Sequence, residues 1–241
     1  MINRYLALIS YSSILLYYFL RLRDFMKFGE VLTLSQKSIY SAEISIMDKY
    51  RNYYFTLWNF ILQIIFLLLS IINESSELAS IKTFQVPLNR IRSLLFYGLV
   101  FPGTLVVTST FWTIWNIDEG LILPRDVVQY FPPVLNHTLH TLIIIPLVIQ
   151  TLLEKKNEMV LFRKVAPLLV TYILAYAFVY IFIYSQQGVW LYPFFNVLNW
   201  PQRIGYGIFN VILALTYQKI GLSLQKVRKT NNQEQEFRKV E

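Results

Sequence analysis

Five long stretches of this chain carry no charge, and a sixth carries one. Residues 5–20, 52–73, 93–117, 127–153 and 165–202 contain no Asp, Glu, Lys or Arg, and 204–224 contains only Lys219. A helix needs about 20 apolar residues to cross ~30 Å of hydrocarbon, so each stretch is close to that length or beyond it. The fifth is too long for one helix. Ser185, Gln186, Gln187 and Gly188 break it, leaving a helix over 165–184 and an aromatic loop over 190–201 of the kind that settles at a membrane interface. Arg4 and Arg21 flank the short first stretch and can snorkel to the two interfaces, as Lys219 can in the sixth.

Composition closes off the alternatives. Of 241 residues, 55% are apolar and only 15% charged, where a soluble domain carries about 25% charge. A soluble enzyme, a disordered chain and a coiled coil are therefore excluded. The net charge of +8 does not indicate nucleic acid, because the basic residues lie between apolar runs and read as topology signals. The expectation is an all-α polytopic membrane protein. A six-span domain occupies 1–225, with spans over 4–20, 53–72, 93–116, 134–153, 165–184 and 204–224, and a polar tail follows over 226–241.

Six spans put both termini on one side. Leaving out Lys219, that side holds 13 Lys and Arg residues, including Arg90, Arg92, Arg163 and Lys164, against 8 on the other. The positive-inside rule then places both termini in the cytosol, although the first loop on the opposite side is also basic. The sequon Asn73-Glu74-Ser75 falls in a cytosolic loop on this topology and is expected to stay unmodified. The chain reads as an integral multi-pass protein of the endoplasmic reticulum or plasma membrane.

A polar side chain inside a span needs a partner or a task. Asn52, Thr56, Asn59 and Gln63 recur at spacings of four, three and four on one face of span two. They make either an interhelical hydrogen-bond seam or part of a site. Span four opens with Asn136, His137, Thr138, Leu139, His140 and Thr141, which include both histidines of the chain. The histidines are either a pair at the wet end of a span or a proton-transfer group. Spans two and four run in the same direction. Thr56 lies ~6 Å and His140 ~10 Å into the membrane at helical rise, so the two occupy one layer. Trp112, Trp115 and Asp118 at the end of span three face the same side, as do Trp190 and Tyr192. This is the layout of a pocket opened sideways to lipid.

A threonine hydroxyl is a weak nucleophile that needs a base within reach. A histidine is the usual base, and a third group commonly orients it. Asp118 is either that orienting group or a solvated loop charge; Asn136 is a second candidate. There is no G-x-S-x-G elbow. Two histidines without cysteine or H-E-x-x-H leave a zinc site short of ligands, and no glycine-rich phosphate loop is present. No metal and no cofactor is expected. Gly205 and Gly207 read as sites of close helix contact.

Phe111-Trp112, Asp118, Pro124, Asn136-His137, His140-Thr141 and Trp190-Leu191-Tyr192-Pro193-Phe194, with Thr56 ahead of the second apolar run, resemble in order and spacing the androgen-induced protein and androgen-dependent TFPI-regulating protein family. The resemblance covers about residues 6–224. It implies a multi-pass membrane hydrolase that cleaves fatty acid esters of hydroxy fatty acids, with the threonine nucleophile at Thr56 and the histidine at His140 rather than His137. The sequence departs from the family pattern at Glu119 and Gly120, and at Asn59. Asn59, Asn136, His137, Asp118, Trp112, Trp190 and Tyr192 are expected to bind substrate or support the pair.

The reading that follows is hydrolysis of a branched fatty acid ester, with the bilayer and this lipid as partners, no nucleic acid, and no protein partner named. The alternative is a non-catalytic lipid-binding or regulatory membrane protein. A transporter is the third reading, weakened by the lack of inverted repeats.

Overall fold

The computed structural model describes residues 2–35, 48–81, 85–128, 131–153 and 159–237. Lys37, Lys82, Lys155, Lys156, Arg238 and Lys239, which enter the charge count, lie outside them. Among the described residues there is no strand, and six helices are long and apolar enough to cross a membrane. They are α1 (Ile2–Ser35), α2 (Phe55–Leu78), α3 (Gln85–Ile117), α4 (Pro133–Leu153), α5 (Phe162–Gln187) and α6 (Trp200–Phe237). The chain is an integral, multi-pass membrane protein.

A long apolar helix lies over each expected span: α1, α3, α5 and α6 run beyond both expected bounds, α2 begins two residues late at Phe55, and α4 gains only Pro133. α3 begins at Gln85 rather than at 93, and Arg92 within it is buried. α6 continues through Lys226 to Phe237, so the described part of the expected tail is helical. α2 runs on to Leu78. Asn73 therefore sits inside a helix and is 1% exposed.

The outer surface of the bundle is apolar, unlike that of a soluble protein. Phe178, Leu174, Ile208 and Ile212 point outward and are more than half exposed, as lipid-facing residues are. A few polar side chains, among them Asn59, Gln63, Thr104, Gln150 and Gln218, are buried within a mainly apolar interior. α3 is the most enclosed helix, 67% buried over its most apolar window, whereas α5 and α6 reach only 17%. Ala7, Tyr11, Leu15 and Tyr18 make the inner stripe of α1 and pack on Leu57, Phe60, Ile64 and Leu67 of α2 and on Leu135, Leu139 and Ile143 of α4.

Between lipid-immersed helices, packing and hydrogen bonds replace the hydrophobic drive. Tyr18 donates to Gln63 Oε1 at 2.7 Å. Gln63 Nε2 donates to Thr104 at 2.6 Å and to the Ile143 carbonyl at 3.0 Å. One glutamine thus ties α1, α2, α3 and α4 together. Pro102 has no N–H to return to the Gly98 carbonyl four residues earlier. α3 is wound as a π turn over Phe96–Val100 just before it, and Gln218 of α6 donates to the released Gly98 carbonyl at 3.1 Å.

Gly205 and Gly207 are not close-contact sites: a Cβ at either would meet nothing within 4 Å. That role belongs to Gly221, where a Cβ would come within 2.8 Å of the Phe101 ring. Gly207 instead lines a cavity.

Candidate active site

Thr56 is the second residue of α2, and His140 lies in the first turns of α4. α4 is wound as a π turn over Thr138–Leu142. Pro146 follows four residues after Leu142 and has no N–H for its carbonyl, which favours the wider winding. The π turn carries His140 on its inner face, 6% exposed.

Thr56 Oγ1 lies 3.5 Å from His140 Nε2. The other ring nitrogen, Nδ1, is 2.9 Å from the Asn136 backbone carbonyl and 2.8 Å from Asn136 Oδ1. A carbonyl can only accept, so Nδ1 carries the proton and Nε2 presents its lone pair to the threonine hydroxyl. The imidazole also stacks on Phe111 of α3, with centroids 3.4 Å apart and planes 6° apart. Two oxygens and an aromatic face fix the ring. The Thr56–His140 separation is at the long end of hydrogen bonding, as catalytic pairs without substrate often are.

The start of α2 is bound to the loop that follows α5. Phe55 N–H donates to the Tyr192 hydroxyl at 3.3 Å, and the Tyr176 hydroxyl donates to the same oxygen at 3.0 Å. Tyr192 therefore accepts twice and keeps its own proton to give. Burial pushes this phenol up to about 12, so it stays protonated. Tyr54 donates to the Leu191 carbonyl at 2.8 Å, fixing the same loop. The Thr56 backbone N–H belongs to the first turn, where no intrahelical acceptor exists, and has no partner among the described residues.

Two cavities meet at this point. The larger, about 430 Å³, extends between α3, α5 and α6 and has no charged lining residue. Leu174, Ile204, Ile208 and Ile212 at its edge are also exposed on the outer surface, so it opens sideways to lipid. The smaller, about 80 Å³, is lined by His140, Tyr54, Phe28, Leu139, Asp48 and Arg51 among others. Thr56, Phe111, Ile122 and Tyr192 line both.

The remaining expected residues fall outside this core. Asn59 is fully buried and faces Thr104 of α3 (Nδ2 to Oγ1, 3.3 Å). With Gln63 it forms the interhelical seam, while Thr56 at the head of the same stripe faces the cavities. His137 is exposed, 3.3 Å from Thr141 Oγ1, and stacks on Trp112, whose indole N–H donates to Thr141 at 3.1 Å.

Asp118 does not reach His140. It caps the short turn Glu119–Leu121 by accepting from Gly120 N–H at 2.8 Å and pairs with Arg125 at 2.9 Å. Those two partners hold its carboxyl below the usual carboxylate range. Trp190 is 4% exposed, stacks on Tyr184, and lies under the Arg203 guanidinium; it supports the loop that carries Tyr192. Phe111 and Tyr176 are the contributors that site reasoning from sequence missed. Among the described residues no group of three or more His, Asp or Glu comes together.

Over residues 5–226 the chain matches the FAR-17a/AIG1-like protein family. It is a member of that family. It is 32% identical to the androgen-dependent TFPI-regulating protein of Mesocricetus auratus over 75% of this chain and 76% of that protein. The human protein of the same name is 28% identical, over 61% and 63%. Human androgen-induced gene 1 protein is 23% identical over 53% of each. No solved structure matches the chain.

Proposed function

We propose that this chain is an intramembrane carboxylic ester hydrolase that cuts the internal ester of fatty acid esters of hydroxy fatty acids. The observation that carries the reading is the Thr56–His140–Asn136 relay at the junction of two cavities. Thr56 Oγ1 attacks the ester carbonyl carbon while its proton passes to His140 Nε2. Asn136 and Phe111 hold the imidazolium in place.

The charge that develops on the carbonyl oxygen is met by the Thr56 N–H and the Tyr192 hydroxyl, at the positive end of a 24-residue helix. The C–O bond to the alcohol then breaks, and His140 returns the proton to the leaving oxygen. An acyl-threonine remains. Water repeats the sequence, giving up a proton to His140, releasing the fatty acid and restoring the threonine hydroxyl. Turnover of a branched fatty ester by the purified protein in detergent tests the reaction. Hydrolysis to equal amounts of fatty acid and hydroxy fatty acid is the expected result, and binding without products would contradict it.

Tyr192→Phe removes one oxyanion donor, together with the acceptor of the Phe55 N–H and the Tyr176 hydroxyl, and keeps the ring. The expected loss is about 10²-fold in kcat with little change in KM, since a donor used in the transition state leaves substrate binding alone. A raised KM at unchanged kcat would instead make Tyr192 a binding residue.

The orientation we assign puts both termini in the cytosol and the Thr56–His140 layer in the opposite leaflet, in the endoplasmic reticulum or plasma membrane. The chain has no cysteine, so single cysteines at the exposed positions Val197 and Val227 report unambiguously. In intact cells or sealed vesicles of known sidedness, Val227→Cys is expected to react with an impermeant maleimide only from the cytosolic face and Val197→Cys only from the other. The reverse pattern would invert the assignment.

A further inference from the structure

The two cavities that meet at Thr56 are chemically unlike. No charged side chain lines the larger one; Asp48 and Arg51 line the smaller. His140 lines the smaller and not the larger. The histidine must protonate the departing alcohol oxygen, so the alcohol half of the ester leaves through the smaller cavity while the acyl chain occupies the larger. An arm of the alcohol half that runs past His140 enters the cavity that Arg51 also lines.

The state of Arg51 suits an anion. The residue sits in a single turn, Arg51–Tyr53, just ahead of Tyr54 and Thr56. Its Nη1 is buried without a hydrogen bond. Asp48 Oδ1 lies 3.7 Å from this same Nη1, within ion-pair reach but too far to take a hydrogen bond from it. A guanidinium presents five donors and takes a carboxylate through two of them, so Arg51 can hold a second carboxylate beside Asp48. Giving a buried donor that has an ion-pair neighbour but no hydrogen bond an acceptor at hydrogen-bond distance also removes a desolvation cost.

We infer that Arg51 binds the free carboxylate of the hydroxy acid half, and so selects esters of hydroxy acids over neutral esters of the same size. The assignment rests on the hydrolase reading for the placement of the two halves of the substrate. It makes the smaller cavity the acid subsite and the larger cavity an unselective apolar one.

The test compares one branched ester as its free acid and as its methyl ester, which differ only at the carboxyl group. Wild type, Arg51→Gln and Arg51→Lys are each assayed in the same detergent. Wild type is expected to favour the free acid. Arg51→Gln is expected to lower that preference about tenfold, through KM, with methyl-ester turnover unchanged. Arg51→Lys keeps the charge and is expected to retain part of the preference. Methyl-ester turnover also serves as the control for folding. Taking the ratio of variants on both esters cancels the different partitioning of acid and methyl ester into micelles.

Equal losses on both esters, or a preference untouched in Arg51→Gln, overturn the assignment. If wild type turns over neither ester, the hydrolase reading fails. Equilibrium binding of the two esters to wild type and Arg51→Gln then decides the carboxylate site by itself: a tenfold weaker hold on the free acid alone supports it, and equal affinities reject it.

Discussion

Thr56→Ala is expected to abolish ester turnover, by at least about 10³-fold, while leaving the protein folded. Loss of the attacking oxygen removes the covalent route altogether, and removing one member of a nucleophile–base relay commonly costs as much as removing them all. The structural cost is small. The hydroxyl makes a single long contact with His140, worth no more than about 1 kcal/mol net. The seam beneath it, Asn59 and Gln63 on Thr104, is untouched. Thermal unfolding of the variant in detergent is expected to match wild type. Thr56→Ser keeps the oxygen and is expected to retain part of the rate. Full activity in Thr56→Ala would move the protein to the lipid-binding reading.

The second large effect is an asymmetry between the two histidines. His140→Ala is expected to lower kcat by about 10²–10⁴-fold, the range for a positioned general base and acid. His137→Ala is expected to fall far less. His137 is exposed and its ring faces Trp112 and Thr141, whereas His140 alone reaches Thr56 and is held by Asn136. Size-exclusion profiles of both variants separate lost chemistry from lost folding. Equal total losses in two well-folded variants would assign the chemistry to the pair instead.

The spans were legible because charge placement dictates them: a long apolar run without charge, bounded by charged residues, has one solution in a bilayer. Their ends were not. Buried Arg92 and the helical extension through Lys226 depend on partners that only packing supplies. Among these is Gln150, which accepts from Arg92 at 3.3 Å and from Tyr11 at 2.6 Å.

The meeting of Thr56 with His140 was legible through depth, since helical rise puts both in one layer. The Asn136–His140 bond was legible through their i,i+4 spacing. The Asp118 alternative ended in the loop reading, because Arg125 and Gly120 are nearer partners. What the sequence hid is set by irregular backbone. The 137-residue separation between Phe55 and Tyr192 closes through a loop held by Trp190, Tyr184 and Arg203, and no periodicity encodes that register. The stripe on α2 shows the same limit. Its spacing puts Thr56, Asn59 and Gln63 on one face, yet the helix start turns the first to the cavities and the neighbouring α3 takes the other two.

The most direct test of the covalent mechanism is the mass of the peptide carrying Thr56 after rapid quenching of the purified protein with a branched fatty ester. The account predicts a peptide heavier by one fatty acyl group, with fragmentation placing it on Thr56. The adduct should be absent in Thr56→Ala. An acyl group on another hydroxyl, or steady product formation by Thr56→Ala, would contradict it.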